Sequence, residues 1–401
     1  MNNKISLDEC NADNKQTEYE KSFCLIWLLV FLYMIIRPIT NNATLIRIIW
    51  IPSLLLLFFV SFRTRITKRY FVEILTPILI IAFSIISQSG ALDQDHLLAG
   101  FCYINMFVVL NASMNIKPQK KTFDYIFYIS VALSFLFFFY TFTPIAHRVH
   151  TNDVVWESKY LVYDLGNSNL AAMFIFSFYC VLLINLAYRK KKVLIVLLMV
   201  ADIYMMYGTN CRSVMVSVVL VTLSYFFVGK RKIPKLLLYI CELFPVIFAV
   251  VYLILYNQMG TQSVYFMEKS LFSGRQDNFL GRIESIDSID TLLFGNFARE
   301  ALQNAHNIDI SVLASLGIVG MISFHSFFFR TTTHIVNQEI TAVRNMSIIC
   351  ILGFFIQSSM EAAFFLGGFP GVIFLSTFMM LSNYNDYSLK DHEKSTEYLA
   401  N

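Results

Sequence analysis

Charged residues make up only 14% of this 401-residue sequence, against about 25% in a soluble domain. That scarcity excludes an ordinary soluble fold. The net charge is a modest +4, and the basic residues sit in short clusters between apolar runs. No basic face or aromatic-basic motif stands out, so no nucleic-acid partner is expected. The seven cysteines (Cys10, Cys24, Cys102, Cys180, Cys211, Cys241 and Cys350) are scattered, with no C-x-x-C pair. They are small apolar residues, giving neither a disulfide framework nor a metal site. Internal repeats and low-complexity tracts are lacking. No cleavable signal peptide is expected either, because residues 1–21 are polar, include acids and run straight into an apolar segment.

What is present is apolar length. Hydrophobic residues reach 57%, the mean hydropathy is +0.60, and runs near the roughly 20 residues that span hydrocarbon recur throughout. They fall near 22–36, 43–62, 71–88, 97–113, 123–143, 168–188, 193–208, 213–229, 236–256, 309–329, 345–365 and 369–384. The expected fold is all-α: a polytopic membrane helix bundle of about twelve transmembrane helices with one long, partly helical outer loop. Basic residues alternate by loop: Arg63, Arg65, Lys68 and Arg69; Lys117, Lys120 and Lys121; Arg189 to Lys192; then Lys230, Arg231, Lys232 and Lys235. The positive-inside rule places those loops in the cytoplasm. Both tails, 1–21 and 385–401, are then cytoplasmic, with spans over 22–256 and 309–384 and a long outer loop over 257–308. A second outer loop covers 144–167. Long loops in compact proteins are usually functional or disordered, and Leu292, Leu293 and Phe294 favour partial helical order here.

The outer loop ends in His306-Asn307, followed after nine residues by Gly317 and then Gly320. On one straight helix Gly317 would share a face with His306, roughly 16 Å deeper. A histidine would then stand at the membrane surface above a glycine-lined face that lets a helix or lipid chain come close. Arg212 begins a span after a very short outer turn, where free N–H groups and a guanidinium together make an anion site; an interfacial arginine snorkelling to headgroups would look the same. Arg275 and Arg282 lie on the long loop. Inside spans, Glu73, Asp202, Glu242, His325 and Glu361 must face the bundle interior or an interface. Glu73 and Asp202 read as helix–helix hydrogen-bonding groups, and Glu361, near the outer end of its span, as a cavity-lining one.

The H-N-x9-G-x2-G stretch resembles the signature of the O-antigen ligase and O-antigen polymerase superfamily. Other elements follow in family order over about 165–320. Gly166-Asn167-Ser168-Asn169 with Ala172 resembles G-N-P-N-x-x-A, with Ser168 in place of proline. Gly208 to Ser213 resembles (T/G)-x-S-R, with Asn210-Cys211 replacing small residues. Gly274-Arg275 with Phe279 resembles G-R-x-x-x-W, and Leu293-Phe294-Gly295 resembles P-L-x-G without its proline.

The resemblance implies metal-independent glycosyl transfer from an undecaprenyl-diphosphate-linked oligosaccharide at the periplasmic face of a bacterial inner membrane, without a cofactor. Membrane lipids and a chain-length regulator protein are the other implied partners. No D-x-D metal motif lies in the outer loops; Asp287-Ser288-Ile289-Asp290 is spaced wrongly. Chemically, arginines stabilise a diphosphate leaving group, and a histidine positions or deprotonates the incoming hydroxyl. The expected catalytic residues are His306, Arg212 and Arg275. Asn169, Asn307, Arg282, Glu361, Gly317 and Gly320 are expected to bind substrate, with Asn169 and Asn307 orienting the sugar or the histidine. Departures from the family consensus favour a polymerase of repeat units over a ligase that moves the chain to lipid A core. A flippase or other transporter would instead show repeated halves, broken helices and a charged central path. A membrane scaffold is a further alternative.

Overall fold

The computed structural model describes residues 2–37, 55–62, 70–87, 94–151, 154–190, 192–228, 231–259, 265–266, 269–270, 275–300, 305–361 and 369–384. Most of the expected span 43–62, the basic residues at 63–69, most of the 88–96 loop, Ser273-Gly274, Gly367-Gly368 and the tail 385–401 lie outside the described residues.

The chain is helical almost throughout the described residues. In order come α1 (Asn2–Ile36), α2 (Phe71–Ser87), α3 (Gln94–Asn115), α4 (Lys120–Thr141), α5 (Ser168–Tyr188), α6 (Val193–Thr209) and α7 (Arg212–Val228). They are followed by α8 (Lys235–Glu242), α9 (Phe244–Met259), α10 (Arg275–Glu284), α11 (Ile289–Phe294), α12 (Phe297–Glu300), α13 (Ile308–Val336), α14 (Ala342–Gln357) and α15 (Phe369–Leu381). Two short antiparallel hairpins interrupt them: β1 (Arg148–Thr151) with β2 (Val154–Glu157), and β3 (Tyr265–Phe266) with β4 (Lys269–Ser270).

Among the described residues, five helices are long and apolar enough to cross a membrane: Gln16–Ile36, His96–Asn115, Lys120–Thr141, Ser168–Tyr188 and Ile308–Val336. Helix α5 is apolar all round and buried at every position from Ala171 to Leu186, as befits a central helix. Its rings Phe174 and Phe178 meet Phe374 of α15 edge-on. Helix α6 is one-sided. Val193, Leu197, Val200, Tyr204 and Tyr207 recur at helical spacing and are each more than half exposed. In water such a stripe would be an aggregation liability; in a bilayer it is the lipid face. The protein is a helical membrane protein.

Polar residues in the spans are bonded across helices. Ser134 Oγ donates to Asp202 Oδ2 at 3.2 Å, Ser326 Oγ to Glu73 Oε1 at 3.3 Å, and Thr332 Oγ1 to Glu242. Glu73 and Asp202 thus make the interhelix contacts expected of them. Basic residues gather at one end. There Arg189 pairs with Asp124, Tyr188 meets Tyr384, and Asn345 donates to the Arg231 carbonyl.

Three expected boundaries change. Helix α1 is continuous from Asn2 to Ile36, and its span-length apolar stretch begins at Gln16, earlier than the expected 22. Its Tyr19 and Glu20 are buried, with Glu20 accepting from Gln119 N at 2.9 Å and from Thr122. The span expected over 236–256 is two helices, α8 and α9, bent by 51°.

The third change reorganises the site. Within α13, Gly317 takes φ 66° and ψ −170°, and the helix breaks. Asp309 and His325, about 24 Å apart on a straight helix, approach to 3.2 Å. Residues 308–316 therefore run back alongside 318–336 as a short arm. The second arm heads for the basic end, where Arg330 pairs with Glu73 at 2.6 Å. The arm's start, with His306 just before it, consequently lies deeper in the bundle than Gly317. The expected order, histidine at the surface and glycines beneath it, is reversed.

Candidate functional site

The far end of the bundle holds the site, built from four separate stretches of chain. Asn167 caps α5, accepting from Leu170 N at 2.7 Å, which fixes Asn169 in the first turn. Helix α6 ends at Asn210, whose φ of 54° is left-handed, a conformation that asparagine tolerates better than most residues. Cys211 completes the turn and Arg212 starts α7. Leu161 of the 144–167 loop packs against Gly208, where an added Cβ would lie 2.3 Å from Leu161 Cδ1, and Leu161 N donates to the Gly208 carbonyl at 3.0 Å. Gly208 is thus the seat for the 144–167 loop.

Arg275 opens α10. Four residues on, and so on the same face, Phe279 is fully buried against Tyr252 of α9, ring centres 5.3 Å apart. The aromatic anchors the helix and the arginine is held into the site. The fourth stretch is His306 itself. Its backbone is left-handed, φ 55°, and strained positions of this kind gather at functional sites.

Arg212, Arg275, His306 and Asn169, together with Ser168, Asn210, Ser213 and Asn278, line one cavity of about 310 Å³. Behind its wall lies Glu361, just past the end of α14. One of its oxygens accepts from Arg275 Nη2 at 2.8 Å and from Asn169 Nδ2; the other is 3.1 Å from His306 Nδ1. A single carboxylate thus orients the imidazole and one guanidinium. Two arginines facing one carboxylate leave the named groups with surplus positive charge, suited to an anion. Burial, with the Glu361 carboxylate next in effect, pushes the Cys211 thiol up, so Cys211 stays neutral.

Of the residues expected from the sequence, His306, Arg212, Arg275, Asn169 and Glu361 are brought together. Asn307, Arg282, Gly317 and Gly320 are not cavity residues. Asn307 is fully buried. Its Oδ1 accepts from Asp309 N and Ile310 N, both at 3.0 Å, and its Nδ2 donates to the Pro245 and Ser359 carbonyls, both at 2.9 Å. It is a helix cap that ties the arm to the Glu361 turn and has no bond to spare for a sugar. Asn307→Ala should therefore lower stability by about 2–4 kcal/mol, from the lost cap and the two orphaned carbonyls. A fall in thermal midpoint in detergent, with residual activity in the folded fraction, is the expected result. Arg282 pairs with Glu300 and fastens α10 to α12.

Gly317 and Gly295 face each other backbone to backbone. An added Cβ at Gly317 would lie 2.3 Å from the Leu293 carbonyl oxygen, and one at Gly295 2.3 Å from Leu316 N. Gly320 makes room beside the break, its Cβ position being 2.2 Å from Leu316 Cβ. These glycines serve the fold of the arm.

Sequence reasoning did not name Ser168, Asn210, Ser213 and Asn278 as wall residues. Asn278 had a signal, since it lies one helical turn after Arg275. Ser168, Asn210 and Ser213 sit inside the elements that carried the resemblance. No family model, curated protein or solved structure matches the chain.

Proposed function

We propose that the chain crosses a bacterial inner membrane about twelve times, basic loops inward, and transfers glycan from an undecaprenyl diphosphate at the periplasmic face. The reading we favour is polymerisation of O-antigen or a similar surface polysaccharide. What supports it is one convergence: Arg212, Arg275 and the His306–Glu361 pair, from distant parts of the chain, surround a single cavity.

In this mechanism Arg212 and Arg275 bind the donor's diphosphate. The acceptor sugar's hydroxyl oxygen attacks the anomeric carbon, and the bond from that carbon to the phosphate oxygen breaks. Diphosphate leaves with the electron pair, its growing charge met by the two guanidinium groups. His306 Nε2 takes the hydroxyl proton, while Glu361 on Nδ1 fixes the tautomer and stabilises the imidazolium. Asn169 and Asn278 supply hydrogen bonds for the sugar nearest the diphosphate.

Ligase activity would use the same grip on a different acceptor. Transport is a second reading, favoured by the broken α13 and the bent α8–α9 pair beside the site, since discontinuous helices mark many transporter sites. Deletion of the gene in its source strain, with complementation, separates all three. Surface glycan reduced to a single repeat indicates polymerase. Polymer stranded on the carrier lipid indicates ligase, and repeat units that never leave the cytoplasmic side indicate a flippase. Full complementation by His306→Ala would remove the transferase reading.

A further inference from the structure

Asp309 and His325 are the ionisable pair that the proposed chemistry does not use. Both lie in the apolar interior, with side chains 1% and 8% exposed and 3.2 Å between Nε2 and Oδ1. Neither Asp309 oxygen and neither His325 nitrogen makes an aligned hydrogen bond among the described residues, so each has the other as its close polar neighbour. Ionisable groups at such depth are costly and usually serve a purpose.

Their place in the fold says which. The arm 308–316 is bounded by two left-handed residues, His306 at φ 55° and Gly317 at φ 66°. It is a short helix cut off at both ends from the ladder of a longer one, and helices of that length do not hold themselves. Its far end is clamped where the Gly295 and Gly317 backbones meet and Asn296 N donates to the Ala314 carbonyl at 2.8 Å. At its near end, three residues from His306, Asp309 meets His325 of the second arm.

We propose that Asp309 and His325 are positioning residues of the site: their contact, added to the bonds of Asn307 and Ile308 N at the same end, pins the near end of the arm and so holds His306 against Glu361. The proposal rests on the transferase reading for its kinetic consequence but not for its structural one. Without the pair, a buried group is left uncompensated and the arm shifts. The arginine grip, on α7 and α10, stays in place. The kinetic signature is a lower kcat for transfer with an unchanged KM for the lipid-diphosphate donor. A displacement of about 1 Å can cost on the order of 10²-fold in rate.

The test uses the full-length protein in detergent and has two arms. The first is independent of catalysis. Ile308 N donates to the Ser358 carbonyl at 3.0 Å, so cysteines placed by Ile308→Cys and Ser358→Cys report by disulfide formation whether the arm is docked on the Glu361 turn. Cross-linking should be efficient in the otherwise native protein and fall several-fold with Asp309→Asn or His325→Gln. The double exchange Asp309→His with His325→Asp should restore it. In the second arm, transfer from a polyprenyl-diphosphate oligosaccharide should lose kcat in the single variants and recover it in the exchange. Native cross-linking in both single variants would overturn the proposal, as would folded single variants whose loss appears in KM alone. If the single variants fail to accumulate, an exchange variant that folds but neither cross-links nor turns over would overturn it equally. A native protein that cross-links but transfers nothing would instead overturn the transferase reading.

Discussion

If the proposed transfer mechanism holds, His306→Ala should slow glycan transfer by about 10²–10⁴-fold while the protein accumulates to its normal level. The imidazole is one-third exposed on the cavity wall, so its removal leaves a small polar void and little lost packing. Arg212 and Arg275 still hold the donor, and the loss therefore falls on kcat and leaves the donor's KM nearly unchanged. Arg212→Ala and Arg275→Ala remove charge stabilisation instead, by analogy with the loss of one oxyanion donor, about 10²–10³-fold. Purified protein, a polyprenyl-diphosphate oligosaccharide and resolution of products by chain length give the rates directly. A His306→Ala protein retaining half of the native rate would show that the imidazole carries no proton in the rate-limiting step.

Gly317→Ala should strongly destabilise the protein, and Gly295→Ala should do the same from the other side. At Gly317 the new methyl group would lie 2.3 Å from the Leu293 carbonyl oxygen and 2.4 Å from Phe294 N. These are backbone atoms, which cannot swing aside. The conformation φ 66°, ψ −170°, which glycine almost alone adopts, adds about 1–3 kcal/mol for an L side chain, and overpacking adds about 1–3 kcal/mol. Against a total stability of about 5–15 kcal/mol, the two together, about 2–6 kcal/mol, take up much of the margin and lower the yield of folded protein. Yield of monodisperse protein after detergent extraction measures this. A native yield with native activity would mean that the two backbones do not touch there.

Some of this was legible in the sequence. Scarce charge and recurring apolar runs carried the membrane class, since both follow from composition alone. Arg212 is legible from its place at the start of a span after a short turn, whereas Arg275, His306 and Asn169 emerge from the elements that carry the family resemblance. The break at Gly317 was not legible. A glycine in an apolar helix reads as a packing residue, and its partner Gly295 lies 22 positions earlier, with no periodicity linking the two. Asp309 and His325 could not be paired until that break was known, because a straight helix separates them. Asn307 and Arg282 were read as substrate groups from residue type. Their actual partners, carbonyls of two other elements and Glu300, belong to tertiary contacts that no local pattern encodes.

Glu361 divides its two oxygens between a cation and a base. The Arg275 guanidinium and the His306 imidazole therefore take their orientation from one group. On the proposed reading, a donor phosphate held by Arg275 is linked to the imidazole through that carboxylate. Grip and base thus keep one spacing, and a substitution that moves Glu361 disturbs both together.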